Sequence, residues 1–151
     1  MCNDEDVRGD GLLSADSSVS DQPPRDECGV FGVWAPGEEV SRLTYFGLYA
    51  LQHRGQQSAG IAASDGQNIM VFKELGLVSQ VFNDQALSAL EGHLAVGHVR
   101  YATQDSNLWE NAQPSLGPTP TGSIALGNNG NFTNLAELRE WANKITSRKV
   151  P

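Results

Sequence analysis

Cys28 opens an apolar, glycine-punctuated run, "CGVFGVWA", directly after an acidic leader. A cysteine that becomes the first residue of a mature chain gains an α-amino group with an unperturbed pKa of ~7.7–8. That amine is substantially neutral near physiological pH and can take the thiol proton, directly or through a water. One residue then supplies both nucleophile and base. No Cys–His pair is needed, and a leader would have to be removed at the Glu27–Cys28 bond. The alternative for a cysteine at the start of a strand is an inert, buried, small apolar side chain. Cys2 would be exposed by removal of Met1, but it precedes Asn-Asp-Glu in a segment with no means of holding a nucleophile rigidly. A reversible Cys2–Cys28 disulfide is a third, weaker reading.

Other polar residues carry competing readings. In "NNGN", glycine accepts positive φ, so the turn can present backbone N–H groups; it can equally be an ordinary hairpin turn. Arg100 taken alone is as readily a surface ion-pair partner as a site residue. His53 and His98 have no cysteine or carboxylate partners at ligand spacing and are read as hydrogen-bonded structural residues rather than metal ligands. Arg54 and Gly55 in "QHRGQ" read as architecture beside a site, and Trp34, Trp109 and Trp141 as packing.

Composition limits the function classes. The 151 residues suit one domain or a piece of a larger one, and 39% are apolar. No apolar run approaches the ~18 residues of a membrane span, and the acidic N-terminus lacks the features of a signal peptide. A cytoplasmic protein without membrane association is expected. The net charge of −8 is concentrated in residues 1–27, where eight acids face two bases; the other 124 residues carry ten acids and eight bases. Such a body has no basic footprint for nucleic acid.

The elements that must position Cys28 follow from pattern. Residues 1–27, rich in Asp, Ser, Gly and Pro, read as a disordered acidic propeptide. "CGVFGVWA" predicts a strand ending at Pro36-Gly37. Val40, Leu43, Phe46, Ala50 and Leu51 recur near helical spacing, with Gly55 as a stop. "SAGIAAS" and "NIMVFKE" predict a hairpin around "DGQ". A short helix capped by Asn83 or Asp84 ends at Gly92, and "LAVGHVRYAT" predicts a strand. A long polar loop, "QDSNLWENAQPSLGPTPTG", precedes a strand at "SIALGNNGN". "NLAELREWANK" predicts a helix with Asn134 and Glu137 at capping-box spacing. The sum is α+β with antiparallel strands dominating the middle.

"CGVFGVWA", "LQHRGQQSAGIAASDG", "GHVRYAT", "ENAQP" and "ALGNNGNFTNLAELR" occur in the order and spacing of a known family. From Cys28 to about Trp141 the chain resembles the amidophosphoribosyltransferases, which catalyse the first committed step of purine synthesis. More broadly it resembles class II (N-terminal nucleophile, Ntn) glutamine amidotransferase domains. The resemblance implies an incomplete four-layer αββα sandwich with antiparallel sheets. It implies that Cys28 attacks the glutamine carboxamide, forming a γ-glutamyl thioester and releasing ammonia. Arg100 matches the arginine that grips the substrate α-carboxylate, for which a guanidinium fork suits better than a point charge. Asn129 and Gly130 match the oxyanion hole, through a side-chain amide and a backbone N–H. Thr103 matches the segment that closes over glutamine.

The chain departs from the family pattern at Asp105, where glycine is usual, at Asn128, where histidine is common, and at Gln57, where glutamate is usual. By the resemblance, residues 28–151 form the N-terminal portion of the amidotransferase domain. The aspartate that grips the substrate α-amino group would lie further on, as would a phosphoribosyltransferase domain with its phosphoribosyl pyrophosphate site. Magnesium, and an iron–sulfur cluster in some members, would belong to those later regions, and no cofactor is expected in this chain. A homo-oligomer is expected for the full-length protein. The alternative expectation is an inactive truncated remnant or interaction fragment.

Overall fold

A computed structural model describes residues 28–101, 108–130 and 132–145. The expected leader, residues 1–27, lies outside the described residues, as do Cys2, Thr103 and Asp105.

Four strands form one antiparallel sheet: β1 (Gly29–Trp34), β2 (Ser58–Ser64), β3 (Ile69–Leu75) and β4 (Leu94–Arg100), in the order β1-β4-β2-β3. The β2–β3 hairpin turns where expected. Gly66 takes φ +90°, and the Asp65 carboxylate accepts from the N–H groups of Gln67 and Asn68 at 2.8 and 2.7 Å. Those bonds hold the Asp65 carboxyl below its usual pKa.

One face of this sheet carries α1 (Val40–Ala50), α2 (Val78–Val81) and α3 (Asp84–Ala89). Ala59, Ile61 and Ala63 of β2 meet Val40 and Leu48 of α1 in the core, joined by Val78 and Leu87. The inward face of α1 differs from the expected one. Val40, Ser41, Thr44 and Leu48 are buried, whereas Leu43, Phe46 and Ala50 are exposed. Apolar periodicity selects the largest hydrophobes, but a small-residue face lets the helix approach the sheet closely. Thr44 tolerates burial because its hydroxyl donates to the Val40 carbonyl at 2.7 Å. The cap of α3 is Asn83, which accepts from Ala86 N–H at 2.8 Å; Asp84 instead pairs with Arg42 at 2.9 Å. The four-residue α2 is too short to leave a periodic signal in the sequence.

The opposite face is covered by the chain on either side of a second, two-stranded antiparallel sheet, β5 (Ser115–Thr119) and β6 (Gly122–Leu126). β5 lies inside the expected loop. Its Gly117 and Pro118 obscure the strand pattern, yet a two-stranded sheet has two edges and tolerates proline. Lys73 on the edge strand β3 anchors this layer: its ammonium donates to the Ala112 carbonyl at 2.5 Å and sits 5.0 Å from the centre of the Trp109 ring. The Trp109 indole in turn donates to the Lys73 carbonyl at 3.1 Å. A Cβ at Gly60 would collide with the Gln113 carbonyl, so the two layers meet there only because the residue is glycine. α4 (Leu135–Ile145) follows, with Asn134 bonded side chain to side chain with Glu137 at 3.4 Å. Helices, a four-stranded sheet and a second antiparallel sheet make this the expected α+β fold, an incomplete Ntn-type sandwich.

Candidate active site

The register brings three strand ends together. Ser58 of β2 lies opposite Arg100 of β4, and Gly29 of β1 lies opposite Val99. One residue before β1, Cys28 reaches the main chain just beyond Arg100. Its Sγ accepts from the Tyr101 N–H at 3.4 Å and stands 3.7 Å from the Tyr101 carbonyl, to which the thiol can donate. The thiol is free and partly exposed. Arg54 Nε donates to the Cys28 carbonyl at 2.8 Å. Cys28 is therefore held from two sides, by main chain 73 residues away and by a guanidinium 26 residues away.

Cys28 has φ +53°, the one described non-glycine residue with positive φ. Such conformations cost on the order of 1–3 kcal/mol and persist where surrounding structure over-determines them. Arg54 reaches Cys28 from a 3₁₀ turn, Gln52–Arg54, that continues α1. Gln52 fixes this turn by donating to the Gly55 carbonyl at 2.5 Å and accepting from Val78 N–H at 2.6 Å. Gly55 itself is extended and lies flat on β4: a Cβ there would stand 2.6 Å from the Val99 carbonyl carbon and 2.7 Å from the Arg100 nitrogen. Arg54 and Gly55, expected as architecture beside a site, lie next to Cys28 and Arg100, and Arg54 touches the Cys28 main chain directly. Tyr101 contributes only backbone atoms, so no side-chain signal could have marked it.

Arg100 is half-buried at the end of β4, and its carbonyl accepts from Gln57 N–H at 3.0 Å. Asn129 and Gly130 are exposed and follow β6 in a loop, with Gly130 at φ +153°. His98 joins this loop to β4: its Nε2 lies 3.0 Å from the Asn128 carbonyl. Asn128 also accepts a fixed place from Gln113, whose side-chain oxygen receives its N–H at 2.6 Å, and its own side-chain amide donates to the Gly130 carbonyl at 3.2 Å. The structure thus joins Cys28, Arg54 and Tyr101 directly, and ties the Asn129–Gly130 loop to the strand that ends in Arg100. Thr103 lies outside the described residues.

The two histidines bond to main-chain carbonyls, His53 Nδ1 to Ala50 at 3.1 Å and His98 as above. Among the described residues no three His, Cys, Asp or Glu side chains converge to hold a metal ion. No described helix is long and apolar enough to cross a membrane. Trp109 packs on Lys73 as expected of a packing residue, whereas Trp34 and Trp141 stand exposed.

The Mycobacterium leprae amidophosphoribosyltransferase is 66% identical over 116 residues, which make up 76% of this chain and 21% of that protein. The Mycobacterium bovis amidophosphoribosyltransferase is 54% identical over 146 residues, 91% of this chain and 28% of its own length. The chain is similar to the N-terminal part of the amidophosphoribosyltransferases. It spans about a quarter of the length of the curated relatives it matches. Among solved structures, the Bacillus subtilis glutamine phosphoribosylpyrophosphate amidotransferase complexed with ADP and GMP is 45% identical with a TM-score of 0.67, covering 76% of this chain and 24% of that one. A structure described as the allosteric regulatory enzyme of purine biosynthesis, also 45% identical, has a TM-score of 0.70 and covers 76% and 25%. No protein-family model matches the chain.

Proposed function

We propose that this chain is the N-terminal part of the glutaminase half of a cytoplasmic amidophosphoribosyltransferase. The Cys28 thiolate attacks the side-chain carbonyl of glutamine, and collapse of the tetrahedral intermediate expels ammonia and leaves a γ-glutamyl thioester. Water then hydrolyses the thioester to glutamate and regenerates the thiol. The ammonia is consumed in forming phosphoribosylamine at a phosphoribosyl pyrophosphate site in regions beyond residue 151. Any magnesium or iron–sulfur cluster belongs to those regions too, and a homo-oligomer is the assembly proposed for the whole protein.

The roles follow chemistry. Arg100 pairs its guanidinium with the substrate α-carboxylate, and Thr103 belongs to the segment that closes over it. Asn129 and Gly130 donate to the oxyanion, where loss of one donor typically costs ~10²–10³ in rate. The base is the α-amino group freed when residues 1–27 are removed. Positive φ at Cys28 supports that step: once the Glu27–Cys28 bond is cut, no preceding carbonyl remains to be strained.

The observation that carries this reading is the placement of Cys28 immediately before β1, hydrogen-bonded to the chain immediately after Arg100. The test is intact mass before and after a γ-carbonyl-reactive glutamine analogue. Loss of residues 1–27, followed by one adduct that Cys28→Ala abolishes, is expected. An uncut, unlabelled chain would refute the glutaminase reading. It would favour the second reading, an inactive interaction fragment, which the exposure of Leu116, Ile124, Leu126, Phe132 and Trp141 supports.

A further inference from the structure

His98 is fully buried, yet the glutaminase reading gives it no task. It stands mid-strand on the face of β4 that also presents Val96 and Arg100, opposite Val30 of β1 and Gly60 of β2. Lys73 of β3 is the next residue along this row, beyond Gly60. The Asn128 carbonyl, 3.0 Å from Nε2, can only accept, so Nε2 carries the hydrogen. Nδ1 meets no donor within the described residues. A second proton there would be buried without a partner, which costs far more than the neutral ring. Burial accordingly pushes the imidazole pKa down, the nearby Arg100 charge pushes it further, and the Asn128 bond opposes both. Among the described residues the partly exposed Cys28, the Lys73 ammonium and the Glu110 carboxylate that acts on Lys73 from the covering layer are further ionisable groups on this side of the sheet.

The carbonyl of Asn128 and the N–H of Asn129 belong to one planar trans peptide and point in opposite directions. Whatever fixes the carbonyl therefore fixes the N–H and the start of the following turn. Gly127 lies against Val30, Val96 and His98, which brings the chain low enough for the bond to form. Gln113 secures the other side of Asn128.

We propose that His98 is a positioning residue: as the Nε2–H tautomer it holds the Asn128 carbonyl against the sheet and thereby sets the orientation of the Asn129–Gly130 loop. Its effect on chemistry rests on the reading of that loop as the oxyanion site. A loop turned away by a single peptide rotation would present its donors in the wrong direction, and misplacement on the ångström scale costs about 10²-fold in rate.

The experiment compares the full chain with His98→Leu, which fills the site but cannot donate, and His98→Gln, whose amide nitrogen can still reach the carbonyl. The first readout is ¹⁵N NMR of the imidazole and of the Asn129 and Gly130 amides. A ring that carries its hydrogen on Nε2 and takes a second proton only below the ~6.5 of free histidine is expected. The amide shifts should move in His98→Leu and largely return in His98→Gln. The second is saturable labelling of Cys28 by the glutamine analogue. His98→Leu should lower the maximal labelling rate about 10- to 100-fold with half-saturation nearly unchanged, and His98→Gln should recover most of it. An Nδ1–H tautomer, or amides and rates that do not distinguish Leu from Gln, would overturn the proposal. If the unaltered chain is not labelled at all, the glutaminase reading fails, and the tautomer and amide shifts still decide the role of His98.

Discussion

The Arg54 guanidinium donates through Nε to the carbonyl of Cys28 at 2.8 Å, so the residue proposed as nucleophile is oriented by the turn that ends the first helix. Hydrogen bonds to charged groups contribute ~1.5–3 kcal/mol, equivalent to about 10- to 100-fold in a rate. Arg54→Lys keeps the charge but loses the planar fork. It should slow analogue labelling of Cys28 by about that factor while the far-ultraviolet circular dichroism stays native; unchanged labelling would remove Arg54 from the positioning of Cys28.

Gly55 packs on the backbone of Val99 and Arg100 with no room for a side chain. Overpacking typically costs ~1–3 kcal/mol. Gly55→Ala should lower the urea midpoint accordingly. Because the displaced atoms belong to the strand end at Arg100, it should also raise the half-saturation concentration of the analogue.

The Lys73–Trp109–Ala112 arrangement joins the edge strand to the second layer through two hydrogen bonds and a cation–π contact. Trp109→Phe retains a ring but removes the indole N–H, and a cost of about 1 kcal/mol is expected. Lys73→Met keeps the aliphatic stem and should cost more, since it leaves the buried Ala112 carbonyl without its donor. Chemical denaturation of the two variants would check the order.

Folding should depend on pH through His98. Its pKa is lowered in the folded chain, so the unfolded chain binds the proton more readily. The contribution of neutral His98 is fully present above the unfolded value of ~6.5. It is lost progressively as pH falls from there toward the lower folded value. Relative to His98→Gln, the unaltered chain should lose stability across that window, as denaturant midpoints measured at successive pH values would show.

Leu116, Ile124 and Leu126 of the β5–β6 hairpin are between half and two-thirds exposed, with Phe132 and Trp141 beyond them. Ile124 and Leu126 share one face of the hairpin and Leu116 lies on the other, and exposed apolar surface of this kind favours association. Ile124→Ser with Leu126→Ser should reduce binding of a hydrophobic dye and light scattering, while changing stability by no more than about 0.5 kcal/mol per site.

Much of this was legible in the chain itself. The strands β1 to β4, the β2–β3 turn and an α3 cap at Asn83 or Asp84 follow from residue type and spacing, because alternation, capping and turn formation are local. Local pattern failed at β5, where Gly117 and Pro118 masked a strand, and at α1. There the most apolar stripe proved to be partly exposed and a stripe containing Ser41 and Thr44 was buried. Which helix face turns inward depends on the surface it meets, and that surface is assembled from four distant segments. The same holds at the site. The family resemblance singled out Cys28, Arg100, Asn129 and Gly130 as candidates, but only tertiary structure brought Cys28 to Tyr101, Arg54 to Cys28 and His98 to Asn128. Those contacts follow from strand register and layer stacking, which depend on the whole core and not on any one stretch of sequence.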